Sequence, residues 1–279
     1  MGIEKIGIVG LGLMGGSLAL ALRKKYQNIK IYGYDHNSEH AEEARELGLV
    51  KEVVDDYSKL DMCDVIFLAT PIDGSIEILQ NLSNIKKETT IVDLGSTKAL
   101  ISNTTPSTIR ENLVAAHPMT GTEKSGPSAS FETLYAGKTV VLCDINKSGE
   151  KQQKLAQKIF TDIGMKIVYM DSKEHDRHAA YISHMPHAIS YALANSVMKQ
   201  EDPRSIIALA GGGFRDMSRI AKSSPKMWSG IFKRNKEHIL ESIESFKNEL
   251  EKCEKFIENE EWDLLQAWMK EANKLHDIL

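Results

Sequence analysis

Ile6-Gly7-Ile8-Val9 runs directly into Gly10-Leu11-Gly12-Leu13-Met14-Gly15, and a helical pattern follows at once. A near-continuous apolar run suits a strand buried on both faces, which a parallel sheet flanked by helices provides. The three glycines have separate physical tasks. Gly10 permits a tight turn, Gly12 lets the backbone approach a pyrophosphate, and Gly15 lets the helix lie close on the strand. The helix amino terminus offers free N–H groups and a partial positive charge to phosphates. Asp35 ends the second candidate strand, where a carboxylate accepts hydrogen bonds from adenosine ribose hydroxyls and repels a 2′-phosphate. NAD is therefore expected rather than NADP. The plainer role for Asp35 is a cap for the helix beginning near Ser38. Leu13 and Met14 at the helix start, with Thr70 and Pro71 after a later strand, complete the expected cofactor set.

The same alternation continues for about 170 residues. Candidate strands are Lys5–Gly10, Lys30–Asp35, Asp64–Thr70, Thr90–Leu94, Leu113–His117, Thr139–Cys143 and Lys166–Met170. Candidate helices between them are Leu13–Tyr26, Ser38–Leu47, Gly74–Leu82, Lys98–Ile109 and Gly149–Ile163. Beyond Met170 only helical patterns remain. The fold class is thus α/β: a Rossmann-type parallel-sheet domain over 1–171, then an all-α domain over 172–279. In the second domain Ile239, Ile243, Phe246, Leu250, Cys253 and Ile257 form a heptad-type seam. It suits a helix packed on its own domain, or one pairing with a second subunit.

Bulk properties exclude several classes. A net charge of −4 over 279 residues argues against a general nucleic-acid binder. No apolar run approaches the ~20 residues needed to span a bilayer. Cys63, Cys143 and Cys253 have no paired spacing, which fits a reducing compartment, and the cytoplasm is expected.

Three segments carry candidate chemistry. His117 ends an apolar run and opens the loop Pro118-Met119-Thr120-Gly121-Thr122-Glu123-Lys124-Ser125-Gly126, where an open α/β sheet keeps its reacting groups. Asp93-Leu94-Gly95-Ser96-Thr97-Lys98 is another strand end followed by a helix start, whose serine either caps that helix or faces whatever lies above the sheet. In the helical part, His184 and His187 are spaced to share a helix face, and with His175 and His178 they raise the question of a metal site. No cysteine or compact carboxylate set completes one, so no metal is expected. Gly211-Gly212-Gly213 reads as a loop whose backbone comes close to something, or as a flexible connection. Arg219, shortly after it, suits a carboxylate in bidentate fashion, although a surface ion pair is the commoner fate of an arginine.

Taken in order, Gly10–Gly15, Asp35, Gly95-Ser96, the His117 loop, Ser183-His184-Met185-Pro186-His187 and Gly211–Arg219 resemble the prephenate/arogenate dehydrogenases of tyrosine synthesis. The resemblance implies NAD-dependent oxidative decarboxylation of prephenate or arogenate in a cleft between the two domains, and a homodimer built on the carboxyl-terminal helices. It implies His117 as the base at the substrate hydroxyl and Ser96 as the residue that orients it. It further implies Arg219 and His187 as substrate-binding groups, with Glu123 and Asp216 as charged residues at the entrance. Tyrosine, which resembles the product, is a candidate active-site inhibitor. The strand beginning by Lys5 and the helical carboxyl end lead us to expect the minimal, monofunctional form. The rivals are a β-hydroxyacid dehydrogenase, which would use a lysine and lack the His-Pro loop, and a non-enzymatic NAD-sensing dimer.

Overall fold

In the computed structural model, which describes residues 3–82 and 85–278, the apolar runs of the first half become strands. β1 (Lys5–Val9), α1 (Leu13–Lys25), β2 (Lys30–Tyr34), α2 (Ser38–Glu46) and a two-residue β3 (Glu52–Val53) come first. β4 (Val65–Leu68), α3 (Ile72–Asn81), β5 (Thr90–Asp93), α4 (Ala99–Thr104) and β6 (Leu113–Pro118) follow. β7 (Thr139–Cys143), α5 (Glu150–Asp162) and β8 (Lys166–Met170) complete the sheet, whose order is β3-β2-β1-β4-β5-β6-β7-β8. Alternate residues bury on opposite faces, as a pleated strand requires. Ile8, Phe67, Val92 and Val114 pack under Leu18, Leu22 and Phe160 on one side. Val9, Ile66, Leu68 and Ile91 pack under Ile78, Leu79 and Ile101 on the other.

Three features depart from expectation. The expected parallel sheet reverses once: β7 runs antiparallel to β6, with Ala115 opposite Cys143 and Pro118 opposite Val140, and β8 is parallel to β7. No α-helix lies between β6 and β7, and a crossover helix is the usual means of making two neighbouring strands parallel. The candidate helix Lys98–Ile109 breaks after Thr104, because Pro106 holds Thr105 in extended backbone. Gly211 to Gly213 form no loop. Gly211 is the amino-terminal cap and Gly212 and Gly213 the first turn of a helix, and a Cβ at any of the three would meet nothing within 4 Å.

After β8 come α6 (Ser172–Ala179), a π-helical turn (Ala180–His184), α7 (Met185–Met198), α8 (Pro203–Ala208) and α9 (Gly212–Ser218). α10 (Pro225–Arg234), α11 (Lys236–Glu258) and α12 (Trp262–Asn273) follow. The heptad-type seam lies on α11. Ile239 at its start is buried, whereas Leu250 and Ile257 are at least half exposed. The seam therefore packs on its own domain only at its amino-terminal end.

The two halves join where α6 runs antiparallel beside α4, and a carboxylate pins each end. Asp176 accepts from the backbone N–H groups of Lys98 (2.7 Å) and Ala99 (2.9 Å), so it closes the amino terminus of α4 from the far side of the chain. Ser96, for which capping is one of two expected roles, does not cap it. At the other end Asp144 accepts from the Ser102 hydroxyl, from the Lys147 ammonium and from the N–H of Ser172. Arg234 adds a third tie, an ion pair with Asp73 of α3, and the neighbouring Asn235 donates 2.7 Å to the Asp176 carbonyl within the helical half.

Burial of the Asp144 carboxyl acts to raise its pKa, but the hydrogen bonds from Ser102, Lys147 and Ser172 outweigh it and hold the group well below the usual carboxylate range. Its contribution to stability is thus complete above the unfolded carboxylate pKa and falls as pH drops below about 4. Asp144→Asn should cost about 1–3 kcal/mol in denaturant unfolding at pH 7. The gap between wild type and variant should narrow as pH is lowered towards 3, whereas a gap that stayed constant would contradict the assignment.

Candidate active site

The cofactor cradle lies at the carboxyl edge of the sheet, at the point between β1 and β4 where strand order reverses. Gly10 has φ +90°, and a Cβ there would stand 2.5 Å from the Ala69 carbonyl oxygen. A Cβ on Gly15 would stand 1.8 Å from the Gly10 carbonyl oxygen, so helix and strand meet as closely as backbone allows. Gly12 is different: its Cβ would meet nothing, and no side chain caps α1. The first N–H groups of α1 are therefore open to a phosphate, and these residues fit a dinucleotide. Leu13 turns its side chain into the core, so only its backbone is available, while the Met14 carbonyl accepts from the Tyr135 hydroxyl at 2.8 Å.

Asp35 does not cap α2; Asn37 does, accepting from Glu39 and His40 N–H. Instead the Asp35 carboxylate accepts from Leu11 N–H (2.8 Å) and Asn37 N–H (2.9 Å), which fixes it beside the glycine turn. Thr70 bonds Ser75 at 2.9 Å, and Pro71 caps α3, so both stand at the end of β4 beside Gly10.

Ser96 and His117 close the same edge further along, Ser96 in the bend after β5 and His117 near the end of β6. Between them lies Lys98, wholly buried, its ammonium bonded to Asp93 and at 2.7 Å to the Ala116 carbonyl. His117 Nδ1 is 2.8 Å from His175 Nε2, and His175 Nδ1 is 2.8 Å from Asp176 Oδ1. Enclosure of its ring pushes the His117 pKa well below the ordinary imidazole value, and His175, Lys98 and His184 add to the shift. His117 is neutral at pH 7.

The opposite wall is built by α7, α9 and α10. His187 donates from Nδ1 to the Ser183 carbonyl (2.8 Å) and stacks on Trp228 with ring centroids 3.5 Å apart. Burial lowers its pKa, as does the nearby Arg219, while the bond to Ser183 opposes the shift. His184, which ends the π-helical turn just before α7, is fully buried with its pKa pushed down to about 4, and its Nδ1 lies 3.1 Å from Asn235 Nδ2. Arg219 is exposed and reaches Glu123, on the loop that follows His117, at 3.7 Å. The fold thus brings Glu123, Arg219 and His187 together. Asp216 is exposed on α9 and forms no ion pair within the described chain. His178 is exposed on α6, away from this group, and no set of three or more metal-binding side chains converges among the described residues.

Sequence reasoning treated His175 only as a metal candidate and gave no role to Asp176, Lys98, Asn235 and Trp228. Lys98 was detectable in principle, since a lysine one turn past a strand-end aspartate suits a buried pair. The others act across 40 or more residues, and no local pattern marks them.

Residues 18–169 match the family model described as "Prephenate dehydrogenase, nucleotide-binding domain", and residues 171–271 match "Prephenate dehydrogenase, dimerization domain". The chain is 32% identical to the prephenate dehydrogenase of Bacillus subtilis, over 99% of this chain and 76% of that one. It superposes with a TM-score of 0.92 on prephenate dehydrogenase from A. aeolicus in complex with hydroxyphenyl propionate and NAD+, at 35% identity over 100% and 99% of the two chains. Synechocystis arogenate dehydrogenase is also similar, with TM-score 0.81 and 29% identity over 98% and 99%.

The second and third glycines of the motif should respond differently to an added methyl group. Gly12→Ala should leave the melting temperature nearly unchanged but weaken NAD binding at least tenfold by titration calorimetry, about 1.4 kcal/mol. Gly15→Ala should lose both, with about 1–3 kcal/mol of stability gone through overpacking. Equal behaviour of the two variants would refute the division of labour.

Proposed function

The chain belongs to the prephenate dehydrogenase family and is an NAD-dependent dehydrogenase, and we propose that its substrate is prephenate, converted to 4-hydroxyphenylpyruvate and carbon dioxide. The observation that carries this reading is the neutral imidazole of His117 at the carboxyl edge of the sheet, on the loop whose Glu123 pairs with Arg219 beside His187. Bound NAD supplies the hydride acceptor for C4 of the ring. His117 accepts the proton of the 4-hydroxyl as the carbon–oxygen bond becomes a carbonyl. The ring carboxylate then leaves as carbon dioxide, its electron pair restores the aromatic ring, and His117 returns the proton to the oxygen. A neutral imidazole suits this exchange, since it takes and gives a proton within one turnover.

Ser96 orients His117 and the reacting hydroxyl. Arg219 binds the side-chain carboxylate in place of Glu123, whose exposed ion pair with it is weak enough to exchange. His187 offers Nε2 to the substrate, held in place by Ser183 and Trp228. Glu123 and Asp216 stand at the entrance, and Gly10, Gly12, Leu13, Met14, Gly15, Asp35, Thr70 and Pro71 hold NAD. Tyrosine, with the product's ring and a carboxylate, competes for the same cleft. Arogenate, which bears an amino group where prephenate bears a keto group, is the second substrate reading, supported by the likeness to the Synechocystis enzyme.

The working molecule is a homodimer in the cytoplasm, with the functional division at residue 171. α7 is apolar along its length yet buries only Ser190, and Leu250, Ile257, Trp262, Leu264 and Met269 leave a second apolar face on α11 and α12. Exposed apolar surface on that scale suits a subunit contact.

Formation of NADH with prephenate and with arogenate, followed by absorbance, tests the substrate; a lower kcat/KM for prephenate would transfer the assignment to arogenate. His117→Asn should lower kcat by about 10²–10⁴-fold with little change in NAD affinity. Arg219→Gln should act mainly on KM, raising it about tenfold or more, as expected for a lost charged hydrogen bond. An unaltered kcat in the first variant, or an unaltered KM in the second, contradicts the corresponding role.

A further inference from the structure

A base at the substrate hydroxyl needs one bare ring nitrogen facing the cleft, and an imidazole has two. We propose that His175 and Asp176 fix the tautomer of His117, with Asp176 as the positioning residue at the far end of a three-member chain. The proposal deepens the reading of His117 as the base and rests on it.

The order of protons follows from hydrogen-bonding capacity alone. The Asp176 carboxylate is held by two backbone N–H groups, Lys98 on Oδ1 and Ala99 on Oδ2, which cannot turn away without unwinding the start of α4. So placed, it acts as an acceptor. The His175 Nδ1 lying 2.8 Å from Oδ1 therefore carries a hydrogen. In a neutral ring this leaves Nε2 of His175 as a lone pair, and the nitrogen that faces it at 2.8 Å, Nδ1 of His117, carries the next hydrogen. Nε2 of His117 is left bare. His175 and Asp176 are both buried, so water does not compete for these positions.

The charges around His117 fit a ring that is neutral at rest and cationic only in passing. Lys98 stands close, already paired with Asp93 of β5, and His184 of the π-helical turn adds no compensating negative charge. Both disfavour a resting cation. When His117 takes the substrate proton at Nε2, its Nδ1–H donates into His175 and the positive charge faces the Asp176 carboxylate one ring away. The same carboxylate thus selects the productive tautomer and steadies the protonated form, and it does so only when α6 is docked on α4.

Because Asp176 also caps α4, the decisive variants are at His175. His175→Asn keeps an atom near Nδ1 and removes the acceptor at Nε2; His175→Gln returns an acceptor there. We expect His175→Asn to lower kcat about 100-fold with KM changed less than threefold, a smaller effect than the ~10⁴-fold that a wrong tautomer costs a serine protease. His175→Gln should recover at least tenfold of that loss. Independently of turnover, nitrogen NMR of histidine-labelled, NAD-saturated protein, with His117→Asn for assignment, should show Nδ1 of His117 protonated and Nε2 bare. In His175→Asn the His117 signals should move to a mixture of tautomers. A hydrogen on Nε2 of His117 in the wild type overturns the proposal, as does a His175→Asn enzyme of normal kcat and lowered melting temperature. Should the protein turn over neither prephenate nor arogenate, the substrate reading fails while the NMR result still decides the tautomer.

Discussion

The site depends on the burial of one ammonium group. Lys98 has no exposed surface, and a charge in that position must be met by partners or it unfolds the region around it. Asp93 and the Ala116 carbonyl supply them, so the end of β5 is tied to the residue before His117. The backbone N–H of the same lysine binds Asp176, which brings in the helical half of the chain. Removing one partner from a buried pair of this kind typically costs about 3–5 kcal/mol, far more than its presence adds over an apolar substitute. The pair is thus better understood as a fixture than as a source of stability. It sets the spacing between the Ser96 bend and His117, and groups mounted on rigid elements hold their geometry better than groups on loops.

Electrostatically the candidate site is a set of imidazoles kept uncharged beside Lys98 and Arg219. His117, His184 and His187 all have lowered pKa values, and burial is the leading cause in each. Lys98 is neutralised internally by Asp93. Arg219 is matched only by Glu123, at 3.7 Å and near solvent, an interaction of roughly 0–1 kcal/mol. The candidate site therefore has one cation whose partner exchanges at little cost, which suits an anionic ligand.

The sequence made the sheet legible because burial on both faces leaves an unmistakable record: Ile6-Gly7-Ile8-Val9 and Val65-Ile66-Phe67-Leu68 admit few other readings. The glycine turn was legible because Gly10 and Gly15 are required by backbone contacts that any larger residue would violate. Strand direction was not. Nothing in Thr139–Cys143 itself distinguishes a parallel from an antiparallel neighbour; the missing crossover helix before it was the usable clue. The glycine triplet misled because the cost of glycine applies to helix interiors, and these three occupy a cap and a first turn. The cap of α4 was invisible for another reason. Ser96 has the right chemistry nearby, but Asp176 arrives from 78 residues away and displaces it.

The reversal between β6 and β7 determines how the chain enters its second half. Because β8 runs against β6, it ends level with Ala115, behind the working edge rather than on it. α6 must then climb back along α4, and His175 reaches His117 after one turn of that ascent. Each helical residue rotates the next by about 100°, so the arrival of His175 at the correct bearing is a matter of phase. One residue more or fewer between Met170 and His175 would leave the helix amphipathic and the fold recognisable, yet turn its imidazole aside. The short junction after β8 thus serves as a gauge, and its length is as much a part of the site as any side chain in it.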